Sequence, residues 1–206
     1  MRLGICAGHS VRSPGVVVEG QTEQEWCRRI VDQAARGAAR RGWQVLDPRA
    51  DVEPIGYPAY LLLRIATYEA ERPDCAIDVH LNASPDPSAS YSVVVYHAPQ
   101  EAAARLARAI SGAFIRGLPW PSRGALPDEM LGRRLAFVRR ISVPAVIVEP
   151  LFLTNPDARA WLQEPDGTAT LARLIVEGAE SWHVRRGSED GQSHGADRRP
   201  EDKRQV

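Results

Sequence analysis

Ala145-Val146-Ile147-Val148 is apolar at every position and runs into a single carboxylate, Glu149. A strand with one wet face alternates apolar and polar side chains, so a continuous run needs cover on both faces. Helices packed above and below a largely parallel sheet supply that cover. Leu3 to Ala7, Trp43 to Leu46, Ala76 to Leu81 and the Val-rich Ser92 to Tyr96 read as further strands. Segments of helical period lie between them. Glu23 to Arg41 repeats Trp26, Ile30, Ala34 and Ala38 on one face and stops at Gly42. Tyr60 to Glu71 turns Leu61, Leu62, Ile65 and Ala66 inward. Helices are also expected over Glu101 to Ile115, Glu129 to Arg140, Pro156 to Leu162 and Thr168 to Trp182, while Ser10 to Gly20 reads as loop. Alternating strands and helices define an α/β chain: three layers, α/β/α, around a mostly parallel twisted sheet of about five to six strands.

A length of 206 residues suits one domain with a sizeable core. Residues 1–184 carry all of these elements. Residues 185–206 hold no aromatic side chain and little aliphatic, and are expected to form a disordered polar tail. The 26 basic and 26 acidic residues cancel, which argues against a nucleic-acid binder with a broad electrostatic footprint. Lys203 is the only lysine; the arginine excess reads as codon use in a GC-rich genome. No stretch is apolar enough to be an integral membrane segment. Cys6, Cys27 and Cys75 are odd in number and lack metal-site spacing, so buried free thiols are expected. Met1-Arg2-Leu3-Gly4 leads straight into a strand, without a charged and then apolar leader. Synthesis in the cytoplasm without a signal peptide is expected, with any work outside depending on release or export by another route.

Four residues carry the chemistry: His9, Glu23, His80 and Glu149. His9 and His80 end strands, and ligands of open α/β sheets bind beyond the carboxyl ends of strands. Two imidazoles and a carboxylate can hold zinc and leave one coordination position open. Glu23 and Glu25 compete for the third place. Thr22-x-x-Glu25 has the spacing of a capping box, in which Glu25 folds back onto the helix start and Glu23 stays available. Glu149, at the end of the doubly covered strand, is placed to act as a general base. Asn82 is expected to tie down the loop after His80, and His97, at the end of a strand, either lines the cleft or, as its type favours, serves a surface or core role. His183 and His194 lie at or in the polar tail.

These motifs, taken in order, resemble the zinc-dependent N-acetylmuramoyl-L-alanine amidases of the type-3 class. Gly8-His9 follows a strand; Glu23 opens a long helix closed by Gly42. Asp78-Val79-His80-Leu81-Asn82-Ala83 matches the family's Ser-x-His-x-Asn-Ala except at its first position. Pro144-Ala145-Val146-Ile147-Val148-Glu149 is followed by Phe152-Leu153-Thr154-Asn155, and Leu61-x-x-Arg64 is similar to the segment before the third strand. The resemblance runs from residue 3 to about 180. It implies a peptidoglycan amidase that cuts the bond between N-acetylmuramic acid and L-alanine, as a monomer acting on muropeptides. Such an enzyme carries one zinc per chain on His9, Glu23 and His80, with Glu149 catalytic; Asn82, Arg64 and His97 are expected to contribute to substrate binding. Two other readings stay open: a zinc carboxypeptidase or endopeptidase on stem peptides, using Arg49, Arg64 or Arg123 to hold a carboxylate, and an inactive wall-binding module.

The capping argument separates the two carboxylates. Glu25→Gln should retain metal and activity, at a stability cost of no more than roughly 0.5–2 kcal/mol. Glu23→Gln should lose metal. Metal analysis of both variants checks this, and the reverse pattern would place the helix start elsewhere.

Overall fold

The computed structural model describes residues 1–49, 56–132 and 134–193. Along the chain come β1 (Arg2–Ala7), β2 (Val17–Val18), β3 (Gln21–Thr22), α1 (Glu23–Ala39), β4 (Gln44–Leu46) and α2 (Tyr57–Glu71). Then follow β5 (Cys75–Val79), β6 (Ser92–Tyr96), α3 (Glu101–Gly117), β7 (Ser122–Pro127), a 3₁₀ turn (Asp128–Leu131), α4 (Ala136–Arg140), β8 (Ala145–Glu149), α5 (Pro156–Gln163) and α6 (Gly167–Ser193).

The main sheet has six strands in the order β4-β1-β5-β8-β6-β7. β4, β1, β5 and β8 run parallel, β6 is antiparallel to β8, and β7 is parallel to β6. β2 and β3 form a separate antiparallel pair. Side chains of alternate parity fill two cores. Leu3, Ile5, Ile77, Val79, Val94, Val146 and Val148 pack under α1, α3 and α6. Cys6, Ala76, Val93, Val95, Ala145 and Ile147 face α2 and α4. Both faces of Ala145–Val148 are therefore covered, as its composition requires. The three cysteines are buried free thiols. Among the described residues, no helix is long and apolar enough to cross a membrane.

Several elements differ from expectation. β7 is an edge strand containing Gly124 and ending at Pro127, residues that disfavour strands, and pairing with β6 overrides that preference. The helix expected over Glu129 to Arg140 is broken after the 3₁₀ turn by Gly132, whose φ of 63° is left-handed. On α2 the inward face holds Tyr60, Arg64, Ile65 and Tyr68, while Leu62 is 50% exposed. α6 continues to Ser193, so residues 185–193 are helical and not the start of a disordered tail. Trp182 is buried and carries Arg186 over its ring at 5.7 Å, so packing on the domain reaches past residue 184. The expectations for 194–206, His194 included, fall outside the described residues.

Close packing of α3 against α6 depends on Gly178. A Cβ there would lie 2.5 Å from Ile110 Cα. Gly178→Ala should destabilise the protein by roughly 1–3 kcal/mol through overpacking. Gly187 lies on the same helix and meets nothing within 4 Å, so Gly187→Ala should be neutral or stabilising by up to about 1 kcal/mol. Denaturant midpoints compare the two.

Candidate metal centre and cleft

β1 and β5 are adjacent parallel strands whose neighbouring helices diverge. α1 leaves β1 over one face of the sheet, and α2 approaches β5 over the other. A crevice opens at such a switch point, beyond the carboxyl ends of the two strands. His9 and His80 stand there. His80 directly follows β5, with its N–H donating to Val148 O at 2.9 Å. His9 has a φ of 65°. That conformation costs a side-chain-bearing residue about 1–2 kcal/mol, and persists where the surroundings hold it. Here Gly8 N–H donates to Val79 O at 2.7 Å, and Ser10 and Ser13 exchange backbone hydrogen bonds at 3.2 and 2.9 Å.

Glu23 is the first residue of α1. Thr22 Oγ1 accepts from Glu25 N–H at 3.2 Å, and Glu25 Oε2 accepts from Thr22 N–H at 3.1 Å, completing the capping box. Glu23 is left to enter the crevice, where it is 3% exposed. Its Oε2 lies 3.0 Å from His9 Nε2, and its Oε1 lies 3.1 Å from His80 Nδ1. The two imidazoles meet edge to face, with centroids 4.9 Å apart. Val16 N–H and Leu81 N–H also donate to Glu23, at 3.2 and 3.1 Å.

Burial alone would raise the Glu23 pKa. Hydrogen bonds from His80 and His9, with their charge, outweigh it and hold the carboxyl well below the usual range. Burial likewise lowers the His80 pKa, but the Asp78 charge, hydrogen bonds to Asp78 and Glu23 and the Glu23 charge push it up to about 10. One atom from each of His9, Glu23 and His80 lies within 4.8 Å of the other two, close enough for one ion. Two imidazoles and a carboxylate are the donor types zinc accepts. Gly8 and Gly15 keep the space open: a Cβ on Gly8 would run into the His80 ring, and one on Gly15 into Glu23 and His9.

Behind His80 stands a buried ion pair that sequence reasoning missed. Asp78 Oδ2 lies 3.2 Å from His80 Nε2, and Asp78 Oδ1 lies 2.5 Å from Arg64 Nη1. Arg64 is 0% exposed and packs over Tyr60 with its guanidinium 4.5 Å from the ring centroid. Burial raises the Asp78 pKa, but the Arg64 charge and the His80 contact bring it below its ordinary value. Arg64 therefore lies beneath the sheet edge and does not reach substrate, contrary to expectation. The signal in the sequence was Asp78 itself, a carboxylate inside an apolar strand, which is costly without a partner.

Glu149 ends β8 and lines the same cleft as His9, Glu23 and His80, a cavity of about 840 Å³. Asn82 also lines it; its Oδ1 accepts from Ala83 N–H at 2.9 Å, and its backbone bridges to Phe152. His97 does not. Because β6 is antiparallel to β8, the end of β6 lies at the sheet edge where β8 begins, away from Glu149. There His97 Nδ1 faces Asp128 Oδ1 at 3.4 Å, and Arg139 binds Asp128 at 2.5 Å and Glu129 at 2.7 Å. A guanidinium already neutralises that cluster. The same antiparallel turn brings Tyr91 and Val93, at the start of β6, beside Glu149. Arg123, with its guanidinium 4.1 Å from the Tyr91 ring centroid, joins them in the cleft.

Fold and donor set define the class: a doubly wound α/β domain with a His/Glu/His cluster at its switch point. The family follows from comparison with known proteins. A family model described as N-acetylmuramoyl-L-alanine amidase matches residues 3–181, and the chain belongs to that family, the type-3 amidases. Solved structures agree in fold. An N-acetylmuramoyl-L-alanine amidase from Clostridium difficile 630 is 21% identical, with 89% of this chain and 96% of that one covered at a TM-score of 0.79. The catalytic domain of CwlV from Bacillus (Paenibacillus) polymyxa var. colistinus is 18% identical, covering 89% and 99% at 0.77. The catalytic domain of the CD27L endolysin targeting Clostridia difficile is 23% identical, covering 88% and 97% at 0.71. No curated protein matches the chain significantly.

Removing one member of the buried pair should be severe. Arg64→Met leaves the Asp78 carboxylate buried without its cation and should cost roughly 3–5 kcal/mol. Adding Asp78→Ser removes the second charge and restores the family's serine, and should recover much of that loss. Equal losses for single and double variants in chemical denaturation would rule out the pair as the cause.

Proposed function

We infer that this chain is a zinc-dependent N-acetylmuramoyl-L-alanine amidase, hydrolysing the amide between N-acetylmuramic acid and L-alanine in peptidoglycan. One observation carries the reading: His9, Glu23 and His80 cluster tightly enough for one ion and open onto the cleft that Glu149 lines. Residues 3–181 fit the amidase family, which supports the same bond as the target.

His9, Glu23 and His80 would hold one zinc per chain. When bound, that zinc supplies Lewis acidity, polarising the scissile carbonyl and acidifying a water. The chain's own residues do the rest. Glu149 Oε takes the proton as water attacks the carbonyl carbon, then delivers it to the departing amine nitrogen. Asp78 accepts from His80 Nε2–H and so orients the ring with Nδ1 toward the cluster. Asn82 shapes the rim of the cleft. The substrate is a muropeptide or intact peptidoglycan, met by a monomer that reaches the wall by release or by export on another route.

A second reading has one specific observation in its favour. Of the three arginines considered for a substrate carboxylate, Arg64 is buried and Arg49 pairs with Asp32 at 2.9 Å. Arg123 is the one that lines the cleft. It suits a carboxylate on the stem peptide, as an endopeptidase or carboxypeptidase would require, and equally as an amidase holding its peptide leaving group would.

Product analysis discriminates: a new L-alanine amino terminus means amidase, and a released amino acid means carboxypeptidase. Glu149→Ala should keep its zinc and its fold while losing about 10²–10⁴-fold in hydrolysis rate. His9→Ala and His80→Ala should lose zinc. An active Glu149→Ala lacking zinc would make Glu149 a ligand and overturn this assignment.

A further inference from the structure

A second cavity, of about 500 Å³, lies between α3 and α6. Its chemistry is unlike that of the cleft. Arg105, Arg108 and Arg116 line it from α3, and Arg185 and Arg186 line it from α6. Among the described residues, no acidic side chain lines it. Carboxylates that reach its arginines include Glu101, 2.6 Å from Arg108 and 3.9 Å from Arg105, and Asp74, 3.9 Å from Arg186. In a chain whose charges cancel overall, five guanidiniums facing one groove form a local cationic site.

The groove follows from sequence spacing. Arg105, Arg108, Gly112 and Arg116 recur at three- and four-residue steps and so share one stripe of α3. Ala109, Gly112 and Ser181 are too small to fill the seam between the helices. Trp182 closes the floor and is 3% exposed. Arg186 and Asp74 lie near the amino end of β5, so the groove's α6 end is at the sheet edge opposite the metal centre.

We propose that this groove binds a phosphodiester polymer chain of the poly(glycerol phosphate) type, holding the enzyme on its wall substrate by a contact separate from the cleft. Guanidinium forks bind phosphate oxygens two at a time, and a row of them suits a repeating anion. Shape selects a strand, because a groove between two helices admits an extended chain and not a flat bilayer. Single-stranded nucleic acid is disfavoured, since the indole lies face-buried and offers no stacking platform. The choice of a wall polymer rests on the amidase reading, whereas binding itself does not require hydrolysis.

The test is equilibrium binding of a soluble poly(glycerol phosphate) oligomer to the full chain, with single-stranded DNA and anionic phospholipid vesicles alongside. The wild type should bind the oligomer, and affinity should fall at least about tenfold between about 50 and 200 mM salt. Replacing Arg105, Arg108 and Arg116 together by Gln should weaken binding at least about tenfold, while replacing all three by Lys should retain most of it. Hydrolysis of a small soluble muropeptide should be unchanged in both variants, and hydrolysis of polymer-bearing walls should fall in the Gln variant. Absent binding, or binding unaltered by the Gln substitutions in a folded variant, overturns the groove. Tighter binding of DNA or vesicles overturns the choice of polymer. Oligomer binding without muropeptide hydrolysis overturns the amidase reading and leaves the groove standing.

Discussion

Arg64 and Asp78 form an ion pair with almost no access to water, and the His9, Glu23 and His80 cluster rests on it. Polar contacts run outward from the guanidinium: Arg64 to Asp78, Asp78 to His80, His80 to Glu23, Glu23 to His9. Each buried charge needs the next, because an uncompensated one costs several kcal/mol. The series also fixes geometry. Asp78 settles which nitrogen of His80 faces Glu23, and Arg64 settles where Asp78 lies. Even the rotation of α2 obeys it, turning Arg64 under the sheet and leaving Leu62 half exposed.

Much of this architecture was legible in the residues. The apolar run before Glu149 implied a doubly covered strand, and the order of strands and helices implied the class. The capping box separated Glu25 from Glu23 because its chemistry is local, requiring only four consecutive residues. His9 and His80 were legible as strand-end residues, but their convergence depended on β1 and β5 being neighbours. Pattern alone failed where long-range forces decide. β7 carries glycine and proline and becomes a strand through its neighbour. Arg64 read as a substrate contact because arginine is seldom fully buried, and only the placement of Asp78 explains it. His97 was misplaced because the antiparallel direction of β6 leaves no local trace, and that direction sends it to the far edge.

The two cavities divide labour by chemistry. The cleft joins a donor cluster, a carboxylate and one lining arginine to an apolar wall that includes Leu126 and Ile147. It suits a substrate with one reacting bond and a mixed surface. The groove between α3 and α6 has charge and, among the described residues, no His, Cys or carboxylate in its lining, so it suits holding more than reaction.

The reversed direction of β6 has a bearing on how such a domain can be altered. Because β6 and β7 run against β8, the connection from β5 to β6 and the approach to β7 open on the reacting side, while the turn that leaves β6 opens on the other. Residues 81–91 span the first of these connections and include several that line the cleft. Leu81 N–H holds Glu23, but among the described residues none of 82–91 belongs to the His9, Glu23 and His80 cluster. A loop exchanged at 83–91 would therefore reshape the wall of the cleft and leave the His9, Glu23 and His80 cluster with its backbone supports in place.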